Sequence, residues 1–178
     1  MRYDYFLEKK FFTSKEVKQI LNEFNKCALP NFFDNPDPNA TKTARVKISR
    51  YLHLKKLLKN VVELTHDVNN KYFGFNIPEK NDYSVVHLNE YISNDNIGYD
   101  WHTDVSRDFA QDFKLTVLIN LSKQYTGGDF RLFKCSDINF FDTGDVLIFK
   151  SFLPHKVERI ISGERKTLTF WMEGPCFQ

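Results

Sequence analysis

Residues 99–104 read Tyr99-Asp100-Trp101-His102-Thr103-Asp104. On an extended strand, positions i and i+2 face the same side, so His102 and Asp104 present an imidazole and a carboxylate together. Reading this stretch as a strand sets the character of everything after Tyr83, where short strand-like runs alternate with turns rich in Gly, Asn and Asp. The runs are 84–92, 98–103, 114–121, 128–133, 138–141, 145–150, 155–160 and 166–172. The turn signals between them include 93–96, 126–128, 143–145 and 162–164. Strands this short and this regularly spaced predict a double-sheet jelly roll or small barrel.

Working back toward the N-terminus, the texture changes. Residues 5–12 suit an edge strand or lead-in. Thr13-Ser14 then supplies an N-cap, and Val17, Ile20, Leu21 and Phe24 recur at helical spacing, which predicts an amphipathic helix over 14–27. Pro30, Pro36 and Pro38 mark 28–41 as a loop. A strand over 43–51 carries Arg45, Lys47 and Arg50, either a basic patch or simply a solvated face. Leu54, Leu57, Leu58, Val61, Val62, Leu64 and Val68 predict a second helix over 53–73, with His53 and His66 as surface or capping residues. The expected fold is therefore α+β, mainly β: a double-stranded β-helix (jelly roll) with the N-terminal helices packed on one sheet. Residues 1–178 form a single domain, with 1–82 as a helical support region and 83–175 as the β core.

The bulk numbers bound the function classes. A chain of 178 residues can bury a sizeable core. Lys and Arg total 25 against 23 Asp and Glu, a net charge of +2 that argues neither for nor against nucleic acid, while Arg45, Lys47 and Arg50 make a weaker basic stripe than nucleic acid requires. No apolar run approaches the roughly 20 residues that span a bilayer, and the first residues have no signal-peptide character. Cys27, Cys135 and Cys176 form no CxxC pair and no even framework, which suits reduced thiols in the cytoplasm.

His155 follows Asp104 by 51 residues, just after a proline and the apolar run Val146-Leu147-Ile148-Phe149. That strand and a turn would return the chain beside the strand bearing His102. Two imidazoles and a carboxylate then suit Fe(II) with open coordination positions, or zinc with a water in a hydrolytic site. Arg165 opens the last strand. Alternation puts Arg165, Thr167, Thr169 and Trp171 on one face, and an inward guanidinium needs a partner. A dicarboxylic co-substrate would supply it through a two-pronged bond, with Thr167 adding a hydroxyl and Trp171 an apolar wall.

Taken in order, these motifs carry a resemblance. Glu90-Tyr91, the 98–104 stretch, Leu115-Thr116-Val117-Leu118-Ile119-Asn120-Leu121, Tyr125-Thr126-Gly127-Gly128-Asp129-Phe130, Thr143-Gly144-Asp145-Val146, His155-Lys156-Val157 and Gly163-Glu164-Arg165-Lys166-Thr167 resemble the core of the Fe(II)/2-oxoglutarate-dependent dioxygenases. The likeness is greatest to the prolyl 4-hydroxylase-type branch and covers about half the chain. The 11–17 lead-in to the first helix resembles the family too. The resemblance implies His102, Asp104 and His155 as iron ligands, and Arg165 with Thr167 on the distal carboxylate of 2-oxoglutarate. It also implies Tyr91 near that co-substrate and Tyr99 lining the substrate pocket. Where some relatives carry a second co-substrate tyrosine, this chain has Asn120, a weaker candidate. No acid–base side chain beyond the metal ligands is implied. The implied reaction uses O2 and 2-oxoglutarate to hydroxylate an unactivated C–H bond, first of all a prolyl residue in a peptide or protein. A free amino acid or other small molecule is the alternative substrate, and a non-catalytic metabolite-binding jelly roll the alternative role. The loops 93–99 and 105–113 are expected to form the substrate lip.

Overall fold

The computed structural model describes residues 3–29, 45–79, 85–93, 98–104, 111–135 and 137–177. Helix α1 (Ser14–Cys27) starts where its capping chemistry dictates. Thr13 N–H donates to the Glu16 carboxylate at 2.8 Å, and Glu16 N–H donates back to Thr13 Oγ1 at 3.3 Å, a reciprocal capping box. Val17, Ile20 and Phe24 are its buried face. Helix α2 (Tyr51–Val68) begins two residues before the expected position and buries Tyr51, Leu54, Leu58, Val61, Thr65 and Val68. A π-helical turn, Asn69–Phe73, ends it, and Gly74 closes the turn at φ +73°, where a side chain would be strained.

Among the described residues, ten strands build two sheets. They are β1 (Tyr5–Glu8), β2 (Arg45–Arg50), β3 (Val85–Ile92), β4 (Tyr99–His102), β5 (Gln111–Asn120), β6 (Tyr125–Gly127), β7 (Phe130–Leu132), β8 (Val146–Lys150), β9 (His155–Val157) and β10 (Ile160–Pro175). The larger sheet runs β1-β8-β5-β10-β3-β2, with β6 also paired to β10; the smaller runs β4-β9-β7. Every pairing is antiparallel. Because side chains alternate across a strand, the large sheet has two apolar faces. Leu115, Val117, Ile119, Val146, Ile148, Leu168 and Phe170 pack beneath α1 and α2. Leu118, Leu147, Phe149 and Tyr91 pack toward the small sheet with Phe130, Leu132 and Val157. This is the mainly β jelly roll, with helices on one sheet, that the strand spacing predicts.

Four local expectations are revised. Residues 138–141 form no strand, although Ile138 and Phe140 are buried. Their backbone is held by side chains instead: Lys9 Nζ on Asn139 O at 2.9 Å and Asn120 Nδ2 on Phe141 O at 2.6 Å. The 155–160 run splits, since β9 ends at Val157 and β10 starts at Ile160. The 162–164 turn signal lies inside β10, where Gly163 at φ +79° bends the strand as it passes from β6 to β3 and β5. The 126–128 turn signal overlaps β6, which starts one residue earlier. The basic residues of β2 are a solvated edge, with Lys47 paired to Glu90 at 2.9 Å.

Asp145 ties the lead-in to the sheet. Fully buried, it accepts from Lys9 Nζ at 2.6 Å, Lys10 N–H at 2.9 Å and Asp142 N–H at 3.0 Å. Beside it, Gly144 at φ +89° lies so close to the Phe12 backbone that no Cβ fits. Asp145→Ala leaves two backbone donors without their acceptor and is expected to lower stability by about 2–4 kcal/mol in urea unfolding.

Candidate metal centre

His102 and His155 are Cα partners across β4 and β9, so the small sheet sets their imidazoles side by side, with ring centroids 4.2 Å apart. Asp104 follows as β4 ends. Its Oδ1 lies 3.9 Å from His102 Nε2 and its Oδ2 3.7 Å from His155 Nε2. All three donor atoms fall within 4.8 Å of one another, a group able to hold a metal ion.

The surroundings fix each ligand's state. His102 Nδ1 lies 2.7 Å from Asp100 O and His155 Nδ1 lies 3.0 Å from Leu153 O. Each ring therefore donates from Nδ1 to a carbonyl and turns a lone pair on Nε2 toward the centre. Phe130 and Phe149 wall His155, and burial pushes its pKa down; the neighbouring His102 adds to this and Asp104 opposes it. It is held neutral, the form a metal needs. Thr116 Oγ1 donates to Asp104 Oδ2 at 2.7 Å and lies 2.9 Å from Ser151 Oγ, while Asp104 N–H donates to Ser151 O at 3.0 Å. Sequence reading missed Thr116 and Ser151. They sit on β5 and just after β8, and only sheet pairing brings them to residue 104.

Alternation groups Arg165 with Thr167, Thr169 and Trp171 on one face, and the structure turns that face inward, leaving Arg165 only 1% exposed. Tyr91 is its Cα partner on β3, and its guanidinium lies 5.3 Å from the Tyr91 ring and 5.9 Å from the Phe140 ring. Its Nε and Nη2 are buried without a hydrogen-bond partner. A buried guanidinium stacked on aromatics but lacking an acceptor fits a carboxylate-bearing ligand. Thr167, two residues on, is buried, with Asn89 and Asn120 on either side of it. Tyr91 is buried, which pushes its phenol up to about 12, with Arg165 pulling the other way. Asn120 is otherwise engaged: its amide donates to Phe141 O at 2.6 Å and Asp142 O at 3.2 Å, leaving no spare N–H.

Tyr99 flanks the centre, and Trp171 lies beside His87. Tyr99, 38% exposed, stacks on His102 at 3.7 Å. Trp171 stacks on Phe113 at 5.0 Å and takes the edge of His87 at 4.8 Å. The proposed substrate lip falls largely on 94–97 and 105–110, outside the described residues.

His87 is a second miss. It shares a face of β3 with Asn89 and Tyr91, so period-two reading from Tyr91 would have found it. Burial pushes its pKa down to about 4, with Asp104 only partly offsetting. The unfolded chain, titrating near 6.5, therefore binds the proton more readily than the fold does. This histidine's contribution is fully present above about pH 6.5 and is lost as pH falls toward 4, at about 1.4 kcal/mol per pH unit. Between pH 7 and 4.5, metal-free His87→Phe should lose about 2 kcal/mol less stability than the parent in urea unfolding.

No family model matches the chain. A PKHD-type hydroxylase of Prochlorococcus marinus is 30% identical over 86 residues, a match that spans 46% of this chain and 39% of that protein. Among solved structures, the viral collagen prolyl hydroxylase of Paramecium bursaria Chlorella virus-1, in its 2-oxoglutarate complex, superposes with a TM-score of 0.69 at 14% identity, covering 97% of each chain. A prolyl-4-hydroxylase of Pseudomonas putida gives 0.68 at 18% identity, covering 96% of this chain and 92% of its own. A Trichoplax adhaerens prolyl hydroxylase, bound to a fragment of the hypoxia inducible factor oxygen degradation domain, gives 0.68 at 21% identity, covering 95% and 83%. The chain thus has the fold of the prolyl hydroxylases, and at the mouth of its small sheet it carries the two-histidine, one-carboxylate set on which its resemblance to the Fe(II)/2-oxoglutarate dioxygenases rests.

Proposed function

We propose that this protein is an Fe(II)- and 2-oxoglutarate-dependent dioxygenase that hydroxylates an unactivated C–H bond, with a prolyl residue of a peptide or protein as its substrate. One juxtaposition carries the reading: a triad of two imidazoles and an oriented carboxylate in the same fold as a buried guanidinium that lacks an acceptor. A zinc hydrolase has use for the triad but not for Arg165. A metabolite-binding module has use for Arg165 but not for the triad.

When bound, iron supplies the O2 chemistry that couples decarboxylation of 2-oxoglutarate to succinate and CO2 with insertion of oxygen into the substrate. The chain's own share is placement. His102, Asp104 and His155 hold the metal and leave coordination positions open. Arg165 and Thr167, beside Tyr91, receive the distal carboxylate in a dry pocket, where a charge-assisted pair is strong. Tyr99 lines the space in which the target C–H is presented, and Trp171 forms an apolar wall on the co-substrate side.

The prolyl assignment draws on the relatives' chemistry. The solved relatives are prolyl hydroxylases, and one holds a peptide. We read the chain as one domain, with 1–82 supporting 83–175. A cytoplasmic setting fits three cysteines of which none is in a disulfide. No helix among the described residues is long and apolar enough to cross a membrane.

The test is the purified protein under anaerobic conditions with Fe(II) and 2-oxoglutarate, then a succinate-release screen in air. A weak visible charge-transfer band and succinate release stimulated by proline-rich peptides are the expected results. Stimulation by free amino acids instead would move the substrate to small molecules. The band without any stimulated release would make the protein a metabolite sensor. Tight zinc with no band would make it a hydrolase.

A further inference from the structure

Strand β6 was not expected from the sequence, and it brings beside Arg165 a tyrosine that the motif reading quotes without giving it a role. Tyr125 opens β6 and is the Cα partner of Gly163 on β10, two residues before Arg165. Gly128 separates the two side chains. A Cβ built on it would meet Arg165 Cδ at 3.0 Å and Tyr125 Cε2 at 3.6 Å, so ring and guanidinium stem lie against the same face of one glycine. Gly128 sits at φ +66° and also crowds Ile160, so the approach depends on there being no side chain there.

The hydroxyl of Tyr125 is buried without a hydrogen-bond partner. So are Nε and Nη2 of Arg165; with Trp171 Nε1 these are the unpartnered buried side-chain polar atoms among the described residues. A buried phenol with no partner costs about 1–3 kcal/mol, so its neighbourhood with an equally orphaned guanidinium needs an explanation. The unpartnered guanidinium groups are all donors, and the phenol can donate too. Their common complement accepts hydrogen bonds, offers several lone pairs and carries negative charge. A carboxylate meets all three requirements, and a metal cation meets none.

We propose that Tyr125 is a second hydrogen-bond donor to the distal carboxylate of the 2-oxo acid, supplied from β6 because Asn120 on the central strand has no N–H to spare. The inference rests on the function proposed above and adds a residue to it. Arg165 neutralises the carboxylate, and Tyr125 completes its hydrogen bonds and sets its depth in the pocket. The pair selects a 2-oxo dicarboxylate over a 2-oxo monocarboxylate of the same length.

The test is calorimetric titration of the Mn(II)-loaded protein with 2-oxoglutarate and with 2-oxopentanoate. Tyr125→Phe removes one oxygen and keeps the ring. It should weaken 2-oxoglutarate at least about tenfold, as expected for loss of a hydrogen bond to a charged group. Affinity for 2-oxopentanoate, for Mn(II) itself and the metal-free melting temperature should not fall. An unchanged affinity for 2-oxoglutarate overturns the inference and leaves the proposed function standing. Equal weakening of both acids also overturns it, because Tyr125 would then not read the distal carboxylate. If the parent protein fails to bind 2-oxoglutarate while Arg165 and the triad are intact, the proposed function falls and this inference with it.

Discussion

Asp104→Ala should abolish metal-dependent succinate release, with a fall of more than about a hundredfold, and should weaken Mn(II) binding measured by electron paramagnetic resonance to a similar degree. The bound on magnitude comes from the layer outside the ligands: losing a residue that merely orients one costs about 10–100-fold. Asp104 is itself a donor, 3.7–3.9 Å from both imidazole Nε2 atoms. Removing it leaves two neutral nitrogens and no charge to oppose that of the cation. Thr116→Val supplies the graded comparison, since it keeps the carboxylate and deletes only the 2.7 Å bond that orients it. Its expected loss is about tenfold, with folding intact. Full succinate production by Asp104→Ala under saturating iron would remove residue 104 from the ligand set.

Arg165→Met gives the second large effect, and it points in two directions. Affinity for 2-oxoglutarate should fall about a hundredfold or more, because the charge-assisted pair to the distal carboxylate is lost. The melting temperature of the ligand-free protein should not fall. In that state Arg165 is 1% exposed, with Nε and Nη2 unpartnered, so its burial is a cost offset only by its contacts with Tyr91 and Phe140. Methionine fills much of the same volume without a charge to desolvate. At a hundred times the dissociation constant, 2-oxoglutarate should stabilise the parent by about 2.7 kcal/mol and the variant hardly at all. A variant that melts far below its parent without ligand would make Arg165 a structural residue and take the co-substrate reading with it.

Much of the site was legible before any folding was considered. His102 and Asp104 are two apart on a strand, and a period of two puts both on one face whatever the rest of the molecule does. The same rule grouped Arg165 with Thr167, Thr169 and Trp171, and the fold turned that face inward. Tyr91 carried an alternation that could have been followed two steps further to His87. The motifs that misled were glycine-containing. Gly127 and Gly163 are turn formers by conformational preference, yet both sit in strands, where their positive φ bends the β6–β10 pairing instead of ending it. Residues 138–141 alternate like a strand, but their backbone is held by Lys9 and Asn120, residues far off in sequence.

The sequence alone determined which residues face together along each strand, where α1 is capped, and that two imidazoles, a carboxylate and a guanidinium are available. Those properties depend on backbone period and on neighbours within four residues. Only the tertiary structure decided which strands lie side by side. It alone put Thr116 on Asp104, occupied the amide of Asn120 with the 141–142 carbonyls, and brought Tyr125 against Gly128 beside Arg165. Such contacts join residues from a dozen to forty positions apart. They are set by sheet order and register, which come from the packing of the two apolar faces as a whole and not from any local run of residues.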